Sequence, residues 1–267
     1  EIERRTKRKT GSETQAAEAV TLATQRGLNE NYARELLELH TLGVDNYYSQ
    51  DDVVAVAKVL TGWTFDGGRK GSHEYKFDNS MHVEGDFRVL GKRIREDETG
   101  DNGQGRQLLD ILGKHKGTSE FIAMKMVRYL VSDVPAEKLV KSVANVYRKT
   151  DGDFVAMVRE IVGSEEFYSR ANYRNKFKTP YEFIVSALRI TSAEITSLRG
   201  LENYLKDMGQ PIYHCDDPTG YYDVAEAWLD PGVMALRWQF ARDLVGGKIR
   251  GVKVGDAFYQ QVPSDAS

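Results

Sequence analysis

Apolar side chains recur along the first part of the chain with the spacing of one face of an α-helix. Leu28, Tyr32, Leu36 and Leu39 stand at positions i, i+4, i+8 and i+11, and Asn29 is suited to the N-cap of this helix. The pattern predicts a helix that begins near Asn29.

A second helix start is marked by residues 49–52, Ser-Gln-Asp-Asp, a capping-box-like sequence in which Asp52 replaces the usual Glu or Gln. The helical period then continues over most of the chain. It predicts further helices over residues 119–131, 135–147, 154–162, 180–190, 197–208 and 231–245. Pro135, Pro180 and Pro231 suit first-turn positions, where a missing backbone N–H is tolerated.

One stretch departs from the helical period. Between residues 66 and 94 the chain is rich in glycine, and the runs 73–77 and 87–90 alternate apolar and polar side chains. Residues 96–105 are polar and glycine-rich, which predicts a loop. We therefore expect a mainly α protein: a multi-helix globular domain with a small β-hairpin or extended excursion near residues 66–94.

Composition narrows the classes of function. The 267 residues are 40% hydrophobic and 29% charged, which is typical of a globular chain. The 37 Lys and Arg against 40 Asp and Glu give a net charge of −3, so no overall basic field indicates a nucleic-acid partner. No apolar run exceeds five residues, as at 53–57, so no transmembrane segment is expected. The single cysteine, Cys215, excludes an internal disulfide and a zinc site built on cysteine pairs.

Charge and patterning divide the chain into three predicted segments. Residues 1–12 carry five cations and are not followed by the apolar core of a signal peptide, so they are predicted to be a basic N-terminal segment. Residues 13–250 hold the helical pattern and form the predicted domain. Residues 251–267 are predicted to be a C-terminal tail.

Two carboxylates within one turn, Glu35 and Glu38, lie beside the leucine face of the first helix. Such a pair can share a proton, hold a divalent ion or divide the roles of acid and base, so both are candidate catalytic residues. The structural alternative is an exposed stripe in which Arg34 pairs with Glu38 at i,i+4. If the stripe is buried, we expect a cation from another helix, Lys125 or Arg128, to neutralise it.

The second candidate site is a loop marked by proline and glycine in which one His, one Cys and two Asp are consecutive. His214 and Asp217 are candidate catalytic residues and would also suit a metal ion, although an Asp before proline is equally suited to a turn. Cys215 as a nucleophile would need a neighbouring base, so a buried and unreactive thiol is the favoured interpretation. The residues leave the identity of any metal or cofactor open.

Several blocks of sequence carry a further signal. They are residues 29–43, 52–53, 121–133, 151–153, 228–237 and 240–241, with the motifs Leu60-Thr61-Gly62-Trp63, Lys178-Thr179-Pro180-Tyr181-Glu182-Phe183 and Asp217-Pro218-Thr219-Gly220-Tyr221. Together, and in this order, these blocks resemble the bacterial DUF1800 family.

The resemblance implies a largely helical fold. Because members of the family often carry export signals, it also implies an exported bacterial protein in the periplasm, at the cell surface or outside the cell. Members are usually longer, so the chain is expected to be a C-terminal portion, with the N-terminal portion as one partner. At residues 82–91 the chain departs from the family pattern His-Asp-x-Gly-x-Lys, and any role of the missing Asp or Lys would pass to Glu84, Asp86 or Arg88.

The family is biochemically uncharacterised, so two functions stay open. The first is a hydrolase with a carboxylate and histidine site drawn from Glu35, Glu38, His214 and Asp217. The second is a non-catalytic envelope or assembly module that binds a protein partner through aromatic-rich loops, since the chain has 14 Tyr and 3 Trp. A concave site with convergent polar groups would favour catalysis, and a flat apolar patch would favour partner binding.

Overall fold

The computed structural model describes residues 28–67, 71–96 and 103–261. The chain divides into two compact units. Unit 1 comprises the described residues up to 123 together with 144–157, and unit 2 comprises 124–143 together with the described residues from 158 onward. The predicted basic segment, residues 1–12, lies outside the described residues.

Unit 1 is built from helices and two antiparallel hairpins. Its elements begin with α1 (Glu30–Glu38), α2 (Gln50–Val59), β1 (Trp63–Phe65), β2 (Tyr75–Phe77), β3 (Phe87–Val89), β4 (Lys92–Ile94) and α3 (Gly103–Gly113). They are followed by α4 (Lys116–Leu130), α5 (Glu137–Lys149) and α6 (Phe154–Val162), whose residues are divided between the two units. β1 pairs with β2, and β3 pairs with β4.

Side-chain caps fix where the first two helices begin. The Asn29 side chain accepts a hydrogen bond from the backbone N–H of Tyr32, as the sequence predicts. Ser49 and Asp52 form a complete capping box at the start of α2. A second carboxylate oxygen of Asp52 accepts the N–H of Leu90, 2.7 Å away, and so connects α2 to the turn between β3 and β4.

The core of unit 1 joins α1, α2 and α3 to the second hairpin. It consists of Ala33, Leu37, Leu42, Val53, Val56, Ala57, Val59, Leu60, Val89, Ile94, Leu108 and Leu112. Because α1 buries its face at Ala33 and Leu37, its polar residues are left toward the outside of this core.

Unit 2 is assembled mainly from helices around a second core. Its remaining elements are α7 (Glu165–Tyr168), α8 (Pro180–Ile190), β5 (Glu194–Ile195), α9 (Arg199–Asp207), α10 (Pro231–Val245), β6 (Val252–Lys253) and α11 (Asp256–Gln261). Its core consists of Ile184, Leu188, Leu201, Leu205, Met208, Phe240, Leu244, Ile249, Val252 and Val254.

Part of the predicted C-terminal tail packs with unit 2. Val252 pairs with Ile195 where β6 meets β5, and Val252 and Val254 are buried in the core. The described part of this segment is therefore integral to the unit, because its apolar residues complete the layer formed by α8, α9 and α10. The division of the chain into three segments otherwise stays a prediction.

The mainly α architecture is confirmed, with small two-stranded antiparallel sheets. The excursion near residues 66–94 contains two hairpins rather than one, and both runs predicted to alternate contribute a strand. Pro180 and Pro231 occupy the first turns of α8 and α10, whereas Pro135 precedes α5, which begins at Glu137. In the part of the chain that the structure describes, no helix combines the length and apolar composition needed to cross a membrane.

Candidate functional site

A groove between α9 and α10 is a concave site in unit 2. It has a volume of about 400 Å³. Its polar lining residues are Asn203, Tyr204, Asp207, Gln239, Lys248 and Arg250, and its remaining lining residues are Gly200, Leu236 and Ile249. This volume lies within the range typical of sites for small ligands.

The packing of α9 places the polar lining. Leu201 and Leu205 are buried in the core of unit 2, so Asn203 and Asp207, one turn apart, face away from it and are exposed. Gly200 allows the segment after α10 to approach the start of α9, because a Cβ at this position would lie 3.0 Å from the carbonyl oxygen of Arg250. That approach brings Lys248 and Arg250, the cationic residues of the lining, close to α9.

Tyr204 and Asp243 form a hydrogen-bonded pair beside the groove. The Tyr204 phenol donates a 2.6 Å hydrogen bond to Oδ2 of Asp243, and the ring packs edge-on against Phe240. Burial and the hydrogen bond to Asp243 raise the pKa of Tyr204 to about 12. The phenol therefore keeps its proton at neutral pH and donates it in the hydrogen bond that Asp243 accepts.

The lining can bind both hydrogen-bond donors and hydrogen-bond acceptors of a ligand. The two amides offer donors and acceptors, Asp207 offers acceptors, and Lys248 and Arg250 offer donors. Leu236 and Ile249 add aliphatic surface to the lining. Hydroxyl-rich molecules combine C–H faces with groups that donate and accept hydrogen bonds, which this lining matches.

The two carboxylates predicted as catalytic in unit 1 have different environments. Oε1 of Glu38 accepts a 2.7 Å hydrogen bond from the Tyr48 phenol and lies 3.4 Å from Nη1 of Arg34. The Glu38 side chain is 18% exposed, so the stripe is largely buried at this residue. Glu35 is partly buried, and its side chain makes no hydrogen bond to the other described residues.

The contacts of Glu38 belong to a network that links α1 to α2. Nη2 of Arg34 donates to Gln50, 2.7 Å away, and Gln50 donates to Glu30, 2.9 Å away. Burial and the hydrogen bond to Glu38 raise the pKa of Tyr48, so its phenol stays a donor. The Arg34–Glu38 pair of the structural alternative is present, and the second partner of Glu38 is a phenol rather than a cation.

The loop that contains His214 and Asp217 is exposed. Oδ1 of Asp217 accepts hydrogen bonds from the N–H and the hydroxyl of Thr219, at 2.8 and 2.7 Å, and these bonds lower the pKa of Asp217. Asp217 therefore shapes a turn and is not bonded to His214, which is exposed. Cys215 is half-buried rather than fully buried.

The described residues do not form a candidate metal-binding site. Among residues 28–67, 71–96 and 103–261, no group of three or more His, Cys, Asp or Glu side chains could hold a metal ion. The structure places Glu35 and Glu38 in unit 1 and His214 and Asp217 in unit 2. A single catalytic site drawn from these four residues stays a prediction.

The segment that departs from the family pattern has structural contacts. Asp86 pairs with Arg93 across the second hairpin and accepts the N–H of Glu96, 2.8 Å away. The His82 ring lies 2.9 Å from Oε1 of Gln104 and 2.8 Å from the carbonyl oxygen of Thr61. The His82 contacts connect the segment between the hairpins to α3 and to the residues just after α2.

The groove residues were not singled out by the sequence, because only the packing of α9 against α10 brings them together. Tyr204 and Asp243 are 39 positions apart and belong to no recognisable motif. The usable signal was the polar stripe of α9, with Asn203 and Asp207 four positions apart beside the buried leucines.

Comparison with known proteins identifies the family. Residues 6–266 match the model of a family described as "Protein of unknown function (DUF1800)". Searches of curated proteins and of solved structures find no match to the chain. Because the match spans nearly the whole sequence, the chain belongs to the DUF1800 family.

Proposed function

We propose that the protein is an exported, non-catalytic binding module whose α9–α10 groove takes a hydroxyl-rich ligand such as a short oligosaccharide. The observation that carries this proposal is the lining of the groove, which combines amide, carboxylate and cationic side chains with the aliphatic side chains of Leu236 and Ile249. Planar amide, carboxylate and guanidinium groups can each form hydrogen bonds to two neighbouring hydroxyls. Export is supported only by the resemblance to a family whose members often carry export signals.

Hydrolysis has less support than binding. General acid–base catalysis is most effective with a group whose pKa lies near the working pH. The pKa of Tyr204, at about 12, lies far above neutral pH. Asp243 accepts a hydrogen bond from the Tyr204 phenol. Glu38 accepts one from Tyr48, and Asp217 accepts one from Thr219. These acids have structural partners that a catalytic role would have to displace.

The experiment is a calorimetric titration of the full chain with three neutral trisaccharides: maltotriose, cellotriose and N,N′,N″-triacetylchitotriose. An open groove of this size should bind one of them with a dissociation constant of about 10 µM to 1 mM. Asn203→Ala and Gln239→Ala should each weaken that binding about tenfold, since each removes a donor and an acceptor. Asn175→Ala is the matched control, because Asn175 is exposed in the same unit and does not line the groove.

Three outcomes would contradict this proposal. If none of the three sugars binds saturably, oligosaccharides are excluded as the ligand class. If Asn203→Ala binds as the wild type does, the groove is excluded as the binding site. Incubation of the protein with the same sugars, followed by chromatography, tests for cleavage. Shorter products that vanish in Asp243→Asn would favour the hydrolase instead.

The second function, a module that binds a protein partner, is favoured by the outer face of α10. Met234, Trp238, Ala241 and Val245 follow one another at i, i+4, i+7 and i+11 on this helix. Trp238 is 70% exposed and Val245 is 43% exposed. Large apolar side chains exposed together are typical of surfaces that contact another protein.

A further inference from the structure

Arg237 is a buried cation in the middle of α10. Only 5% of the residue is exposed, although neighbouring positions on the helix reach solvent. Its guanidinium carbon lies 4.5 Å from the centroid of the Phe177 ring and 5.2 Å from that of the Phe183 ring. Aromatic faces attract a cation, but they supply no hydrogen-bond acceptor of the strength that a guanidinium finds in water.

The hydrogen bonds of this guanidinium are incomplete. Nη2 donates to the carbonyl oxygen of Lys178, 2.8 Å away. Nε is buried and has no hydrogen-bond partner among the residues that the structure describes. A guanidinium carries five N–H donors, and buried donors are normally satisfied, so an unpaired Nε calls for an explanation.

The charge of Arg237 is also uncompensated among the described residues. The ion pairs of this part of the chain involve other cations, and burial alone lowers the pKa of Arg237, with no carboxylate to offset it. Glu182, the acid nearest along the chain to Lys178, accepts the N–H of Thr179 in the capping box of α8. Buried charges are normally paired, and none of the positions that the structure describes supplies a carboxylate to pair with this one.

We propose that Arg237, with Phe177 and Phe183, forms a binding site for the carboxylate group of a small organic acid. The two oxygens of a carboxylate match the paired N–H groups along one edge of a guanidinium, which would satisfy Nε and neutralise the charge together. Phe177 and Lys178 lie in the stretch without helix or strand that precedes α8. Arg237 does not line the α9–α10 groove, so the inference is independent of the proposed function.

The test uses thermal unfolding of the full chain in sodium acetate, with sodium chloride at the same ionic strength as reference. Acetate should raise the unfolding temperature saturably, because a ligand that binds only the folded state stabilises it in proportion to its occupancy. Arg237→Met should abolish this saturable response. Arg242→Met is the matched control, since Arg242 is exposed on the same helix and should leave the response unchanged.

A second measurement does not depend on a variant that folds. The buried Nε–H of an arginine is visible by ¹H–¹⁵N NMR, and its signal in the wild-type chain should shift saturably with acetate and not with chloride. Absence of such a shift, or an equal thermal response in Arg237→Met, would overturn the proposal. A response to phosphate and not to acetate would also overturn it, by assigning the site to a tetrahedral anion.

Discussion

Glu38 and Glu35 lie within one turn of α1 and differ in what they contact, which makes them a natural pair for mutation. Replacing Glu38 with Ala removes the acceptor of the Tyr48 phenol and the partner of Arg34. Because Glu38 is largely buried, we expect the free energy of unfolding to fall by about 1–2 kcal/mol. Urea denaturation followed by circular dichroism measures this change.

Glu35→Ala is the control for this change. It removes the same side chain from the same helix, so the change in helix propensity is shared. Since the Glu35 side chain makes no hydrogen bond to the other described residues, we expect a change within about 0.5 kcal/mol. Equal losses in the two variants would mean that the network around Glu38 does not stabilise α1.

Individual contacts were predictable where the partners are close in sequence. The Arg34–Glu38 pair follows from i,i+4 spacing, and the turn around Asp217 follows from an Asp before proline. The Tyr48 partner of Glu38 was not predictable, because the chain must turn after α1 to bring the phenol back to it. Arg237 showed no signal in the sequence, since its burial depends on Phe177 and Phe183 from another part of unit 2.

At the scale of elements, Asp52 connects two parts of unit 1. It completes the capping box of α2 and accepts the N–H of Leu90 in the second hairpin. We expect Asp52→Ala to lower the free energy of unfolding by about 2 kcal/mol, one part from the cap and one from the unsatisfied Leu90 N–H. Denaturant unfolding at neutral pH measures the loss.

Asp51→Ala is the matched control, because Asp51 lies in the same first turn and is exposed. It should lose less than about 1 kcal/mol, from the helix dipole alone.

Burial acts to raise the pKa of Asp52, but the hydrogen bonds from Leu90 and Ser49 outweigh it, so the pKa lies below its usual 3.8. The contribution of Asp52 is therefore present above that pH and is lost as the pH falls through the lowered value. A difference between wild type and Asp52→Ala that grows on acidification would contradict this account.

Helices were predicted well where their signals are local. The N-cap at Asn29 and the prolines that open α8 and α10 are confirmed at the predicted residues. The start of α3 at Gly103 lies within the predicted loop, because its glycine-rich first turn has no periodic apolar face. The pairing of β5 with β6 joins segments far apart in the chain, which short-range patterns do not encode.

At the scale of the whole molecule, the described residues form two compact units, and each contains a cluster of buried apolar side chains. Each core gathers apolar faces from several helices, and each unit combines segments that are separate in the sequence. The groove arises from the same packing, since α9 and α10 bury leucines and Phe240 in the core of unit 2 and leave polar residues beside it. A polar site of this kind becomes visible only when two helices are placed together.

The outer face of α10 leads to a prediction that tests the second function. The chain has three tryptophans, of which Trp228 is 6% exposed and Trp238 is 70% exposed. Acrylamide should quench Trp238 most strongly, and Trp238→Phe should remove most of the quencher-accessible emission. Trp228→Phe is the control and should leave that accessible emission in place.

The concentration dependence of this quenching tells which molecule covers the face. If a second copy binds there, quenching of Trp238 should fall as the protein is raised from about 1 µM to about 100 µM, because association follows mass action. If quenching stays constant over that range, the face is open in the isolated chain and free for a different protein. If Trp238→Phe leaves the accessible emission unchanged, the residue is covered within its own chain, and the partner-binding function loses the surface on which it rests.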